Sequence, residues 1–134
     1  MELENILYGG VQVVHNFGAA AVTGLPIAAL CFKPAPPVLR RMALLTLVAW
    51  LAQGASGAGF GTVSFFMEGE LPQIHHLALG ALIVKIACAV LAVTLLTVHF
   101  LRRTASGPGV VLWRGLAILG ITALTSAAVL RWFS

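Results

Sequence analysis

Four long apolar segments, with most of the charged residues in or next to the short gaps around them, constrain this chain more than any other feature. The segments cover residues 6–32, 39–63, 74–101 and 110–133. Each exceeds the roughly 20 residues that an α-helix needs to cross about 30 Å of hydrocarbon. A stretch such as residues 87–96 lacks the alternation of apolar and polar residues that marks a transmembrane β-strand. The sequence therefore predicts four membrane-spanning helices.

Composition and loop length extend this prediction to a fold. Of the 134 residues, 60% are hydrophobic and only 9% are charged, and a soluble domain of this size cannot bury so much apolar surface. The first segment is too long for a signal-peptide core, so we expect it to remain as a helix. Because the gaps are short, sequential helices should be antiparallel neighbours. We predict an all-α, single-domain (1–134), up-down four-helix bundle that is integral to the membrane.

The charged residues predict the orientation of the bundle. The first and third loops carry the positive charges, at Lys33, Arg40, Arg41, Arg102 and Arg103. The second loop and the amino terminus carry only glutamates, at positions 2, 4, 68 and 70. Since cytoplasmic loops are enriched in lysine and arginine, we expect both termini on the outer, periplasmic side of a bacterial inner membrane. Arg131 alone departs from this pattern. The net charge of +4 then reflects topology, and no nucleic-acid partner is expected.

Polar residues inside the predicted spans are expected to lie at one depth. His15 is about nine residues below the outer end of the first helix, and Lys85 is about eleven below the outer end of the third, which at about 1.5 Å per residue is nearly the same level. Gln53 reaches a comparable depth in the second helix. Hydroxyl side chains do so in the fourth, at Thr122, Thr125 and Ser126. Polar groups are expensive in lipid and are usually functional there, so this layer is the predicted site.

Three further histidines lie outside that layer. His75 and His76 open the third helix above it, and His99 is near the cytoplasmic end. At about 100° per residue, Lys85 and His99 lie within about 40° of each other, and His75 is about 80° from Lys85. The interior face should thus carry Lys85 and His99, with His75 nearer to it than His76. Each of these histidines could instead be solvated at the membrane interface.

Lys85 is the only charged residue well inside a segment, and no carboxylate lies within any segment. We therefore expect Lys85 to act as a neutral amine or to pair with an anion that a ligand supplies. The absence of a membrane-embedded carboxylate disfavours proton-coupled export, and the absence of a nucleophile–base pair disfavours hydrolysis. The small residues at 54–61 favour close helix packing or leave room for a flat ligand.

Neutral imidazoles in a helical bundle are a common way to hold haem iron. We predict one haem b, with His15 as an axial ligand and Lys85, His75 or His76 as the second, and electron transfer in the outer half of the bilayer. The candidate cofactor-binding residues are His15, Gln53, His75, His76 and Lys85, and His99 is added as a candidate metal ligand. Imidazole also suits copper, so a copper-handling or transport protein is the rival hypothesis. A non-catalytic subunit that only packs in a larger membrane complex is a third.

The partners follow from these hypotheses. They are the lipid bilayer, further copies of the chain or other membrane subunits, and a quinone, a porphyrin or a periplasmic electron carrier.

Short motifs in the first and third segments resemble a known superfamily. His15 is followed by Gly18 and Gly24, and the third segment reads Val-Lys-Ile at 84–86 and Val-His-Phe at 98–100. This pattern is similar to the copper-resistance-protein-D superfamily and to its relative, the HemJ-type protoporphyrinogen oxidases. The resemblance implies a four-helix membrane fold, a b-type haem, and functional roles for His15 and Lys85. The chain lacks the tryptophan and arginine expected just after the first-helix histidine. The resemblance therefore implies the fold and the haem more directly than it implies the oxidase activity.

Overall fold

The computed structural model describes residues 2–68, 76–102 and 107–133. This part of the chain forms four α-helices, which are α1 (Glu2–Phe32), α2 (Pro36–Glu68), α3 (His76–Leu101) and α4 (Val110–Phe133). No strand occurs in these ranges, so the predicted all-α class is confirmed. All four helices are long and apolar enough to cross a membrane.

Two helices begin earlier than the apolar segments predicted. α1 starts at Glu2 rather than at residue 6, and α2 starts at Pro36 rather than at residue 39. Proline is tolerated in the first turn because the N–H groups there have no intrahelical acceptor to lose. α2 also continues without a break through the glycine-rich residues 54–61. Lipid offers no partner to backbone N–H and C=O groups, so a chain inside the membrane stays helical even where glycine weakens the preference.

The turn between α1 and α2 begins at Lys33. α1 ends at Phe32, as the run of prolines after it predicted. Lys33 has a positive φ of 46° and donates its N–H to the carbonyl of Ala29 at 3.1 Å. A residue in this left-handed conformation commonly closes the last turn of a helix. Pro34 follows and cannot continue the helix, so the chain reverses direction within a few residues.

The helices pack as an up-down bundle. Gly59, late in α2, faces Val11, early in α1, whereas Gly18 faces Ala49, which comes earlier in α2. This order makes α1 and α2 antiparallel. α1 also packs against α4, and α3 packs against α4 and, over a smaller interface, against α2. α1 and α3 therefore occupy opposite corners of the described bundle.

α1 and α4 approach most closely where α1 carries a proline. Pro26 lies inside α1 and has no N–H to donate to the carbonyl of Val22, four residues earlier. That carbonyl faces Gly120, where an added Cβ would lie 2.6 Å from the Val22 oxygen and 3.2 Å from the Cα of Thr23. Only glycine at position 120 leaves space for this contact between the two backbones.

The interior of the bundle is narrow and the outside is apolar. Many buried residues are alanine, and the largest buried side chains are Trp50 and Trp113, each 2% exposed. Bulky apolar side chains lie outside, including Phe17 at 75% and Val111 at 83% exposure. A water-soluble protein rarely presents such a surface. Helix length, composition and this exposure together indicate a multi-pass integral membrane protein.

The first and third connections lie at the same end of the bundle. An added Cβ on Gly107 would lie 2.6 Å from the Cβ of Leu39, so the residues before α4 contact the start of α2. The positive residues Lys33, Arg40, Arg41 and Arg102 thus gather at this end, which we call the basic end. Residues 2 and 68, both glutamates, are at the opposite ends of their helices.

Candidate functional site

His15 and Lys85 meet inside the bundle. His15 lies midway along α1, and Lys85 lies on α3, at the opposite corner. Lys85 Nζ is 2.8 Å from His15 Nε2, within hydrogen-bond distance, and both side chains are half-buried. The predicted common depth of these two residues is therefore confirmed. Their hydrogen bond connects helices whose backbones do not touch within the described residues.

Ser56 hydrogen-bonds the other nitrogen of the imidazole. Its Oγ is 2.7 Å from His15 Nδ1, and the side chain is 6% exposed. The same hydroxyl donates to the carbonyl of Ala52 at 2.6 Å, one turn earlier in α2. Because a serine hydroxyl has a single hydrogen, its oxygen is left to accept at the imidazole.

The contacts of Ser56 favour one direction for each hydrogen bond around His15. If Ser56 Oγ accepts, Nδ1 of His15 must carry the hydrogen and donate it. The neutral ring then presents its lone pair at Nε2, and Lys85 donates to that lone pair. The assigned order runs from Lys85 to His15, then to Ser56, and ends at the Ala52 carbonyl. We call these three side chains the His15 centre.

Gln53 hydrogen-bonds the backbone of α1 at His15. Its amide nitrogen donates to the carbonyl oxygen of His15, and its side chain is 6% exposed. Gly18 makes this possible, because an added Cβ at position 18 would lie 2.7 Å from Gln53 Nε2. The predicted common depth of Gln53 and His15 is thus confirmed. Gln53 contacts the main chain of α1 and not the imidazole.

Two aromatic side chains lie on one side of the imidazole. The ring of Phe60 lies edge-on to His15, with ring centroids 5.5 Å apart and an interplanar angle of 74°. Tyr8 stacks on Phe60 at 6.5 Å. Contacts of this kind restrict rotation of the imidazole and exclude polar groups from that face.

No acidic residue is close to Lys85 in the sequence, and none is close to the His15 centre along the axis of α1 or α2. The chain has only four acidic residues, at positions 2, 4, 68 and 70. Glu68 is twelve residues beyond Ser56 in α2, which is about 18 Å along the helix axis. The His15 centre therefore carries nitrogen donors and no built-in anion.

The other predicted ligands lie elsewhere. His76 is exposed at the start of α3, nine residues from Lys85 and thus about 13 Å from it along the axis. His99 is half-buried near the basic end, edge-on to Phe100 at 5.5 Å, and about 21 Å from Lys85 along α3. His75 lies outside the described residues. The structure therefore brings neither His76 nor His99 to the His15 centre.

The hydroxyl residues of α4 also stay apart from the His15 centre. Thr125 donates to the carbonyl of Ile121 at 2.9 Å, and Ser126 donates to that of Thr122 at 2.8 Å. Together with His76 they line a groove of about 340 Å³ between α3 and α4. Hydrogen bonds thus link the predicted polar layer across α1, α2 and α3, whereas the hydroxyls of Thr125 and Ser126 bond within α4 and their predicted depth stays a prediction.

The donor set limits how the His15 centre could hold a metal. Among the described residues, no group of three or more His, Cys, Asp or Glu side chains could hold a metal ion. Two nitrogens 2.8 Å apart subtend about 85° at a metal with bonds of about 2.0–2.1 Å. They could therefore be neighbouring ligands of one small ion. Axial haem nitrogens lie on opposite faces, about 4 Å apart at such bond lengths, so His15 and Lys85 as placed here do not fit as an axial pair.

Sequence reasoning missed Ser56 and Phe60. Residues 54–61 were interpreted only as a packing or ligand-binding surface, although Ser56 follows Gln53 by three residues and so lies about 60° from it on the helix. That spacing was the available signal. No signal identified Phe60, because an aromatic residue in an apolar span is ordinary.

Comparisons with models of protein families, with curated proteins and with solved structures give no match to this chain.

Proposed function

We propose that this chain is an electron-transfer protein of a bacterial inner membrane, with His15 as the protein ligand of a b-type haem. The observation that carries the proposal is the contact between His15 and Ser56, whose Oγ lies 2.7 Å from Nδ1. With the hydroxyl hydrogen of Ser56 on the Ala52 carbonyl, Nδ1 donates to Ser56 and the lone pair at Nε2 faces Lys85. Histidine ligands of metals usually donate their other ring N–H to such an acceptor, which fixes the tautomer and the ring orientation.

His15 would hold the haem through its Nε2, and Lys85 would remain nearby as a cation for the anionic propionates. Haem would supply one-electron chemistry at iron. Ser56 would hold the ring, and Phe60 would exclude water from one face of it. A second axial nitrogen from His76 is not part of the proposal, because His76 is too far along α3.

Copper is a second candidate because a specific distance favours it. The 2.8 Å separation of the two nitrogens matches neighbouring positions of tetragonal copper, which accepts nitrogen ligands. His15 and Lys85 would then bind the ion together, and Lys85 would act as a neutral amine. The two hypotheses differ in what happens to Lys85 when the cofactor binds.

The proposed orientation has both termini outside. The basic end of the bundle would face the cytoplasm, because cytoplasmic loops carry the excess of lysine and arginine. The His15 centre would then lie in the outer half of the membrane, within reach of a quinone or a periplasmic electron carrier.

Absorption spectra test the proposed function. The purified full chain should show a Soret band and, after reduction with dithionite, sharp α and β bands. His15→Ala should abolish these bands, whereas His99→Ala should retain most of them, because His99 lies about 21 Å from Lys85 along α3. Circular dichroism should show unchanged helix content in both variants.

Other outcomes would contradict the haem proposal. Equal haem content in the two variants would remove His15 as the ligand. A colourless protein with one copper per chain, lost in both His15→Ala and Lys85→Met, would support the copper hypothesis. A protein with neither cofactor would support a subunit that only packs within a larger membrane complex.

A further inference from the structure

A second feature of the bundle lies at the basic end, far from the His15 centre. A groove of about 560 Å³ opens between the start of α2 and the end of α3. Its lining combines two exposed arginines, Arg40 and Arg41, with the apolar side chains of Leu44 and Phe100, and Pro37 completes it. Positive and apolar surfaces thus share one concave site.

No acidic residue lies at this end of the described helices. Arg40 and Arg41 lie in the first two turns of α2, and residue 68 lies at its other end. The 28 residues between positions 40 and 68 correspond to about 42 Å of helix. Residues 2 and 4 are likewise at the far end of α1. An anion that pairs with these arginines would therefore come from outside the described helices.

Helix stability does not explain the arginines. Acidic residues are favoured in the first turn of a helix and basic residues in the last, because of the helix dipole. The first turn of α2 has no acidic residue. A count of loop charges explains why positive residues occur at this end, but it does not explain why two of them share a groove with Phe100.

The position of the groove identifies the kind of molecule that fits it. The groove lies where two membrane-spanning helices end, so its arginines are at headgroup level. Leu44, one turn deeper in α2, reaches toward the hydrocarbon. Arginine matches the geometry of phosphate, and basic pockets between transmembrane helices bind anionic lipid headgroups. A soluble phosphate would use only the charged half of this lining.

We propose that this groove is a binding site for an anionic phospholipid, whose phosphate pairs with Arg40 and Arg41 and whose acyl chain lies against Leu44 and Phe100. The site is separate from the His15 centre and does not depend on the cofactor assigned there. It would fix the depth and tilt of α2 and α3 at the basic end.

Native mass spectrometry of the full chain in mild detergent tests this proposal. The protein is mixed with equal amounts of phosphatidylglycerol and phosphatidylcholine that have the same acyl chains. Wild type should retain phosphatidylglycerol preferentially. Each arginine near the surface is worth about 1 kcal/mol, so Arg40→Gln should reduce the preference about fivefold. The double variant Arg40→Gln with Arg41→Gln should reduce it about 25-fold.

Matched controls separate the groove from general charge. Arg131→Gln removes an exposed arginine from the last turn of α4, at the opposite end of the bundle, and should leave the preference unchanged. Replacement of both groove arginines by lysine should preserve most of it. Unchanged helix content in circular dichroism shows that the variants are folded.

Three results would overturn the proposal. Wild type could bind the two lipids equally, or the double glutamine variant could keep the wild-type preference. Alternatively, soluble glycerol phosphate in excess could displace the bound phosphatidylglycerol, in which case the groove recognises a free phosphate and the acyl chain contributes nothing.

Discussion

At the scale of single residues, the polar groups around His15 form a chain with one direction. Lys85 donates to the imidazole, the imidazole donates to Ser56, and Ser56 donates to the Ala52 carbonyl. Ser56 has both of its partners within α1 and α2, whereas Lys85 is the one member that comes from α3. Lys85 is therefore the member that a ligand can most readily displace, since its movement breaks one hydrogen bond and leaves the other two intact.

Ser56→Ala tests the role of Ser56 as the acceptor that fixes the imidazole. Loss of an outer-shell partner of a metal-ligating histidine typically lowers affinity about 10–100-fold, so haem affinity should fall by this amount while helix content is retained. Haem titration of the apoprotein measures it. Ser126→Ala is the matched control, because Ser126 also donates to a carbonyl one turn earlier but does so within α4. Equal affinities in the two variants would contradict the assigned tautomer.

Lys85→Met and Lys85→Arg separate the proposed roles of Lys85. A cation near haem favours the reduced form, so its removal in Lys85→Met should lower the midpoint potential by about 40–90 mV, corresponding to about 1–2 kcal/mol. Lys85→Arg keeps the charge and should keep the potential. Redox titration gives both values. A potential that changes alike in both variants would indicate ligation by the amine, and wild-type values in Lys85→Met would show that Lys85 has no role.

The common depth of His15 and Lys85 could be predicted from sequence because depth in a membrane is a simple function of residue number. Helices rise uniformly, and antiparallel neighbours share their ends, so His15, Gln53 and Lys85 had to lie near one level. The rotation of each helix about its axis was not predictable in the same way. Ser56 was therefore not among the predicted site residues.

At the scale of helices, the α1–α4 contact depends on a proline and a glycine together. Pro26 leaves the Val22 carbonyl without its helical donor, and Gly120 lets α4 approach that carbonyl. A weak Cα–H···O contact suits this geometry. Sequence pattern gave no sign of this pairing, because the two residues are 94 positions apart and each is ordinary in a membrane helix.

Gly120→Ala should separate α1 from α4. The added Cβ would lie 2.6 Å from the Val22 oxygen, and this atom belongs to the backbone and cannot rotate away. Overpacking of this kind costs about 1–3 kcal/mol, so the unfolding temperature in detergent should fall. Gly115→Ala, in the same helix, would meet nothing within 4 Å and should be neutral or stabilising, since alanine favours helix by about 1 kcal/mol. Similar unfolding temperatures for both variants would contradict the close approach.

Helix ends were less predictable than helix identity. Four apolar segments predicted four helices because each segment is long enough to span a bilayer. Apolar content does not mark where a helix stops, however, and α1 and α2 extend beyond their segments into charged or proline-containing sequence. In these regions the helix is favoured by continuity with the span rather than by hydrophobicity.

At the scale of the whole molecule, charge is distributed between two ends and the His15 centre lies between them. The basic end of the described bundle carries four positive residues, Lys33, Arg40, Arg41 and Arg102, and Arg103 follows Arg102 in the sequence. The four acidic residues come at the start of α1 and around the end of α2. Packing of Gly107 against Leu39 places the first and third connections together, which is the arrangement that the positive-inside pattern requires. Orientation itself depends on the membrane and is therefore a prediction from charge.

Cysteine accessibility tests this orientation. In a background without Cys31 and Cys88, a membrane-impermeant maleimide should label Glu68→Cys in intact cells, whereas Lys33→Cys and Arg102→Cys should be labelled only after permeabilisation. The reason is the excess of positive residues in the first and third loops, and each lysine or arginine variant removes only one of five such residues. Reversed labelling of all three positions would overturn the orientation and leave the fold intact. Labelling of positions 68 and 102 from the same side would contradict the third span itself, because α3 must carry the chain across the membrane between them.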